Sequence, residues 1–224
     1  MLALAALALW SPTSAGARPL HIDHVIVGTR DLDAAIAEIA RRTGVRPVPG
    51  GVHPGRGTRN ALMSLGPGTY LELYAPDPAQ PVASKDAANL GRLRHPTPIG
   101  WAVSAPDEKR LRSAARSTGL GLTPSEPGSR RLPDGSLLRW STFGFRRFDG
   151  DEVPFFIHWA EARTHPSRTS PTGCRLLGLN IATPAAPGLN RVIARLRGPV
   201  RVTRRGTARM VLSLRCPKGS VSFG

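Results

Sequence analysis

The sequence predicts an α+β fold of repeated βαβββ modules whose strands build a mostly antiparallel, curved sheet. One order of elements recurs along the 224 residues: a strand, an amphipathic helix, then a run of strands. The 24 Gly and 22 Pro fall between those elements as turn punctuation and form no low-complexity tract. The length suits one sizeable domain or two small ones sharing a core.

The first pass begins at residues 20–28 (LHIDHVIVG), which alternate, are rich in β-branched residues and read as a strand. Asp31 supplies a helix N-cap and Asp33 suits the first turn. Leu32, Ile36, Ile39 and Ala40 share one helical face, and Gly44 stops the helix. Pro47 to Gly57 reads as a Gly/Pro-rich loop. Strands follow at 58–65 and 69–75, joined at Gly66-Pro67-Gly68.

The second pass repeats that order. Residues 97–104 (TPIGWAVS) form a strand, and Pro106 stands at the first helical position with Asp107 and Glu108 in the first turn. Leu111, Ala114 and Ala115 give the apolar face, and Gly119 or Gly121 ends it. A loop over Glu126 to Gly135 precedes strands at about 136–145 and 153–160. The third pass is shorter. It has a strand at 174–183, a helix marked by Leu189, Val192, Ile193 and Leu196 that stops at Gly198-Pro199, and strands near 200–204, 208–215 and 219–223. The expected division is an extension at 1–17, a two-module domain at 18–165, and a third βαβ-type unit at 170–224.

The net charge is +16, and basic proteins gain affinity for nucleic acid by releasing phosphate counterions. Arg41-Arg42, Arg130-Arg131, Arg146-Arg147 and Arg204-Arg205 are nevertheless scattered pairs, with no basic helix, aromatic platform or zinc-finger spacing. A solvated basic surface is the expectation, and a nucleic-acid partner is not expected. Met1 to Trp10 is an apolar run too short to span a bilayer, with an A-x-A-like site at Ala15-Gly16-Ala17 but no preceding Lys or Arg. A cytoplasmic location is therefore favoured over export. Cys174 and Cys216 are read either as two buried thiols or as one bridge.

The segments HIDHVIVGTRDLDAA and GVRPVPGGVHPGRGTRNALMSLGPGTYLELYAPDP resemble the first module of the glyoxalase-like domain family, in the vicinal oxygen chelate superfamily. VPFFIHWAEARTHPS and GCRLLGLNIATP resemble its second half, so the resemblance runs from about His21 to the C-terminus. It implies the glyoxalase/bleomycin-resistance/dihydroxybiphenyl-dioxygenase-like fold. The superfamily holds isomerases, dioxygenases, thiol transferases and metal-free antibiotic-binding proteins, so the fold alone selects no activity. Both partner modules stand in one chain, and monomer and homodimer are both compatible.

In that superfamily, inward side chains from the first and last strands of each module hold a divalent metal. Carried onto this chain, the resemblance implies His24, on a face with Ile22 and Ile26, and Glu72, on a face with Tyr70 and Tyr74. In the second module Trp101 takes the place of His24, and His158, beside Phe156, takes that of Glu72, with a register that can slip by one. His24, Glu72 and His158 would form a 2-His-1-carboxylate set for Zn, Fe, Ni or Mn, with Glu72 doubling as general base. The alternative makes both histidines hydrogen-bonded pocket lining and leaves Glu72 to an arginine.

His53, Arg59 and Asn60, around a glycine-rich loop, are donors for a ligand or for the loop's own backbone. His165-Pro166-Ser167 reads as a structural connector. Trp101 and Phe156 would offer a stacking wall to a planar ligand. No nucleotide fingerprint, P-loop, G-x-S-x-G or H-E-x-x-H occurs. Two functions follow: a metal-dependent lyase, isomerase or oxygenase acting on a small oxygenated substrate, or a metal-free protein that sequesters a small molecule.

Overall fold

A computed structural model describes residues 21–80, 84–117, 121–131, 137–146, 150–160, 165–184, 189–190 and 199–224. The expected N-terminal extension at 1–17 lies outside them, as does the helix expected after Leu189, apart from Leu189 and Asn190.

The first module opens with β1 (Ile22–Gly28) and α1 (Leu32–Thr43). The Asp31 side chain accepts from the Ala34 amide at 3.0 Å, and Gly44 closes the helix in the left-handed region at φ 81°. The module continues through β2 (Val48–His53), β3 (Thr58–Ser64) and β4 (Tyr70–Pro76). A short α2 (Lys85–Leu90) links it to the second module, which comprises β5 (Thr97–Ser104), α3 (Glu108–Ser117), β6 (Glu126–Arg131), β7 (Leu137–Phe143) and β8 (Phe155–Trp159).

All eight strands share one sheet in the order β2-β3-β4-β1-β5-β8-β7-β6. From either edge the order is second, third, fourth and first strand of a module, so the two βαβββ modules meet at the antiparallel β1–β5 pair. Within each module the first and last strands are parallel, β1 with β4 and β5 with β8; the other pairings are antiparallel. The sheet curls until its edges approach: Arg130 on β6 donates from its guanidinium to the Gly50 carbonyl on β2. The result is a near-barrel.

Two segments expected as loops contain strands. Both β2, within 47–57, and β6, within 126–135, lie at sheet edges. Edge strands tolerate Pro49 and Pro127, and their exposed positions hide the apolar alternation that marks inner strands. Their glycines serve close approach. A Cβ on Gly50 would stand 2.7 Å from an Arg130 guanidinium nitrogen, and one on Gly128 would overlap the Trp140 indole nitrogen.

The C-terminal residues form a separate four-stranded sheet from β9 (Arg175–Thr183), β10 (Val200–Arg204), β11 (Arg209–Cys216) and β12 (Gly219–Phe223), in the order β10-β9-β11-β12. Its first strand lies inside the sheet, parallel to β10 and antiparallel to β11, so this unit does not repeat the strand order of the modules. Leu179, Ile181, Met210, Leu212, Leu214 and Phe223 bury one face in a core continuous with α1 and β1.

Cys174 and Cys216 form a disulfide spanning a sequence separation of 42 residues, which resolves the alternative left open by the sequence. A loop of that size corresponds to about 3–4 kcal/mol of lost unfolded-state entropy. Reductant is therefore expected to lower the melting temperature by about 10 °C, and Cys174→Ser to reproduce the drop. A melting curve unchanged by reductant would contradict a bridged native state. No helix among the described residues is long and apolar enough to cross a membrane.

Candidate functional site

The concave side of the eight-stranded sheet encloses a cavity of about 950 Å³, at the upper end of small-molecule sites. Its polar side comes from the first module. His24 and Ile26 project from β1, Tyr70, Glu72 and Tyr74 from β4, Asn60 from β3 and His53 from the end of β2. The second module supplies Phe155, Ile157 and Trp159 from β8, Trp140 from β7 and Arg130 from β6.

His24 is oriented by its sequence neighbour. The β1–β5 register shifts between Ile22 and His24, a bulge that turns the Asp23 carboxylate toward the His24 ring. Asp23 is fully buried and accepts from His24 Nδ1 at 2.9 Å, Trp159 Nε1 at 3.0 Å and His165 Nε2 at 3.2 Å. His165 Nδ1 accepts in turn from the Ser167 amide at 3.2 Å, so its proton lies on the Nε2 that faces Asp23. Burial pushes the Asp23 carboxyl up, but hydrogen bonds from His165 and His24 outweigh it and bring the pKa down to about 2. With Nδ1 committed to Asp23, His24 presents Nε2 to Glu72 Oε2 at 3.7 Å.

Glu72 sits at the middle of a second chain of contacts. Its Oε1 accepts from Asn60 Nδ2 at 2.7 Å, and the same amide nitrogen lies 3.3 Å from His53 Nε2. His53 Nδ1 contacts Thr58 Oγ1 at 3.1 Å, and that hydroxyl donates to Tyr74 at 2.9 Å. Burial lowers the His53 pKa, with Arg56 and Arg130 adding to it against the pull of Glu72, so the ring is neutral at pH 7 and Nε2 accepts from Asn60. Burial together with Glu72 and Asp23 holds the Tyr70 phenol well above its ordinary range, and it remains a neutral wall stacked on His24 at 4.6 Å.

Arg130 is 6% exposed, and no carboxylate among the described residues lies within 4 Å of it. Burial lowers its pKa, while the Glu72 carboxylate supports the charge. The guanidinium remains protonated regardless, because an arginine does not lose its proton in a protein.

Of the residues singled out from the sequence, His24, Glu72, His53 and Asn60 come together at this cavity. Trp101, Phe156 and His158 do not. In the β1–β5 register Trp101 stands opposite Val25, on the buried side of the sheet, whereas Ala102 stands opposite His24 and Gly100 opposite Ile26. Trp101 is fully buried, with Nε1 donating to the Glu152 carbonyl at 2.9 Å, and offers no ring face to a ligand. On β8 the cavity side holds Phe155, Ile157 and Trp159. Phe156 stacks on Phe143 in the core at 5.2 Å, and His158 contacts the Ala105 carbonyl through Nδ1 at 2.8 Å. The expected His24–Glu72–His158 metal set is therefore not assembled, because His158 lies on the opposite face of the sheet. Among the described residues no group of three His, Cys, Asp or Glu is placed to hold a metal ion.

Trp140 and Trp159, expected as core or pocket wall, line the cavity, whereas Arg130 and the supporting Asp23–His165 pair had no expected role there. Arg130 fell in the supposed loop. Asp23 alternates out of phase with His24, and only the bulge turns it toward that ring. His165 served as a connector signal, but it is also the clamp on Asp23, and Pro166 beside it touches the cavity.

Two βαβββ modules sharing one curled sheet around a side-chain-lined cavity define a small-molecule-binding cup of vicinal oxygen chelate type. The chain matches the glyoxalase-like domain family over residues 22–197 and belongs to it. A hypothetical protein from Staphylococcus aureus has a similar fold, with a TM-score of 0.67, 13% identity, and coverage of 92% of this chain and 99% of that one. Methylmalonyl-CoA epimerase from Mycobacterium tuberculosis aligns with a TM-score of 0.45 and 24% identity, over 63% of this chain and 89% of that one. The Streptomyces coelicolor epimerase aligns at 0.45 and 20%, over 64% and 100%. No curated protein matches the chain.

Proposed function

We propose that the protein binds, without a metal, a planar small molecule carrying a carboxylate or similar anion, with Arg130 as anchor. The observation that carries this reading is Arg130 itself: a buried, charged guanidinium on the cavity wall with no carboxylate within 4 Å among the described residues. Taking such a charge out of water costs several kcal/mol unless a counter-charge meets it, and a bound anion supplies one. Trp140, Trp159 and Phe155 give the flat apolar walls, and the His53–Asn60–Glu72 chain gives polar groups that fix orientation.

The test is a titration with a hydroxynaphthoate probe, read by quenching of the cavity tryptophans. Arg130→Met is expected to weaken binding about 30-fold, the weight of one charge-assisted contact of about 2 kcal/mol. Equal affinity in the variant would overturn the proposal. A metal-dependent enzyme using Glu72 as base is the competing reading. It predicts that Zn, Fe, Ni or Mn raises the melting temperature and that Glu72→Ala abolishes the rise. The metal-free reading predicts no such rise.

A further inference from the structure

Residues 162–224 contain twelve Lys or Arg and no Asp or Glu, so twelve of the sixteen net charges reside in the last 63 positions. In linear sequence they look scattered; the C-terminal sheet collects part of them on one face. Along β11 the residues Met210, Leu212, Leu214 and Cys216 are buried, which turns Arg209 and Arg215 outward. Arg175 pairs with Arg215 across β9, and Arg201 on β10 pairs with Asn180, itself opposite Val211. All four arginines are exposed, and none has a carboxylate within 4 Å among the described residues. Between them stand Gly178, Asn180, Ala182, Val211 and Ser213, all shorter than the arginines, so the guanidinium groups can reach past their neighbours.

We infer that this face docks the chain on an anionic phospholipid surface. Guanidinium groups bind phosphate oxygens bidentately, and a sheet face can present several to one plane at once. Among the described residues of these strands the face carries no aromatic side chain on which bases could stack, unlike a nucleic-acid platform. The Cys174–Cys216 bridge is covalently next to Arg175 and Arg215. Such bridges persist in oxidising compartments, where membrane phosphates are at hand and nucleic acid is scarce. The surface is independent of the cavity on the eight-stranded sheet.

The test is co-sedimentation of the full chain with vesicles of equimolar phosphatidylglycerol and phosphatidylcholine, against pure phosphatidylcholine. Binding is expected to the anionic vesicles alone and to fall steeply between about 50 mM and about 300 mM salt. Changing Arg175, Arg201, Arg209 and Arg215 together to Gln should reduce partitioning about 600-fold. A control losing the same charge elsewhere, at exposed Arg30, Arg46, Arg92 and Arg94, should stay within about threefold of wild type. Single Arg201→Gln and Arg209→Gln variants, each expected to lose about fivefold, carry the test if the fourfold variant misfolds. Equal losses in the two fourfold variants, or no binding to anionic vesicles, would overturn the inference. Tighter binding to duplex DNA than to vesicles at matched salt, lost in the same variant, would replace it with a nucleic-acid face.

Discussion

Trp101→Ala is expected to destabilise the protein by about 4 kcal/mol while leaving the affinity of the folded fraction for an aromatic carboxylate nearly unchanged. The indole is fully buried against the helix side of the sheet, and its N–H satisfies the Glu152 carbonyl. Truncation leaves a large cavity and one buried acceptor without its donor, two penalties that add. For a chain of this length the melting temperature should fall by about 12 °C. Trp159→Ala supplies the contrast. Trp159 is half-buried and lines the cavity, so its loss should reduce ligand affinity as well as stability. If Trp101→Ala abolished binding at a temperature where the variant is still folded, the placement of that ring in the core would be wrong.

The second large effect concerns Asp23. Its carboxylate takes three N–H donors and has no exposure to water, so Asp23→Asn places a donor amide against donors and removes the charge. A loss of about 3 kcal/mol is expected. The wild-type protein should also show the corresponding pH dependence. The folded pKa, about 2, lies below the unfolded value of 3.8. The unfolded chain therefore binds the proton first, and the stabilisation is fully present above pH 3.8. It is lost as the pH falls through that window toward 2. About 2 kcal/mol should disappear there in urea titrations of the wild type, and Asp23→Asn should lose that contribution. Identical acid limbs for the two proteins would show that Asp23 is not the linked group.

How far the sequence revealed this arrangement depended on where each strand lies. The central strands β1, β4 and β5 are buried on both faces, and their apolar runs are plain in LHIDHVIVG and TPIGWAVS. His24 and Glu72 follow from the family resemblance, which picks out the first and last strands of a module, with strand alternation choosing the inward positions. Trp101, Phe156 and His158 were misassigned because strand alternation has a period of two, so a shift of one residue exchanges cavity and core. The β1–β5 pairing holds two such irregularities, at Ile22/His24 and at Ile26/Val27. Nothing in composition reports a bulge. Arg130 was hidden for a different reason: its strand carries Pro127 and Gly128, residues that signal a turn, and its role arises only when the sheet curls to bring β6 against β2. The repeated arginine pairs also gave no hint that the C-terminal sheet would align Arg175, Arg201, Arg209 and Arg215 on one side.

The metal expectation turned on the same one-residue question. With Gly100 and Ala102 beside Ile26 and His24, and with His158 turned to the other face, the second module contributes walls and Arg130 to the cavity in place of ligands. This division of labour leaves a buried guanidinium and a polar cluster on opposite modules of one cup.

A matched pair of probes tests that account most directly: a naphthoate and its neutral carboxamide, titrated calorimetrically into the wild-type protein at low salt. The account predicts that the carboxylate binds at least about tenfold more tightly, and that Arg130→Met removes the difference while leaving the amide unaffected. Equal affinity for the two probes in the wild-type protein, or a preference for the carboxylate that survives Arg130→Met, would contradict it.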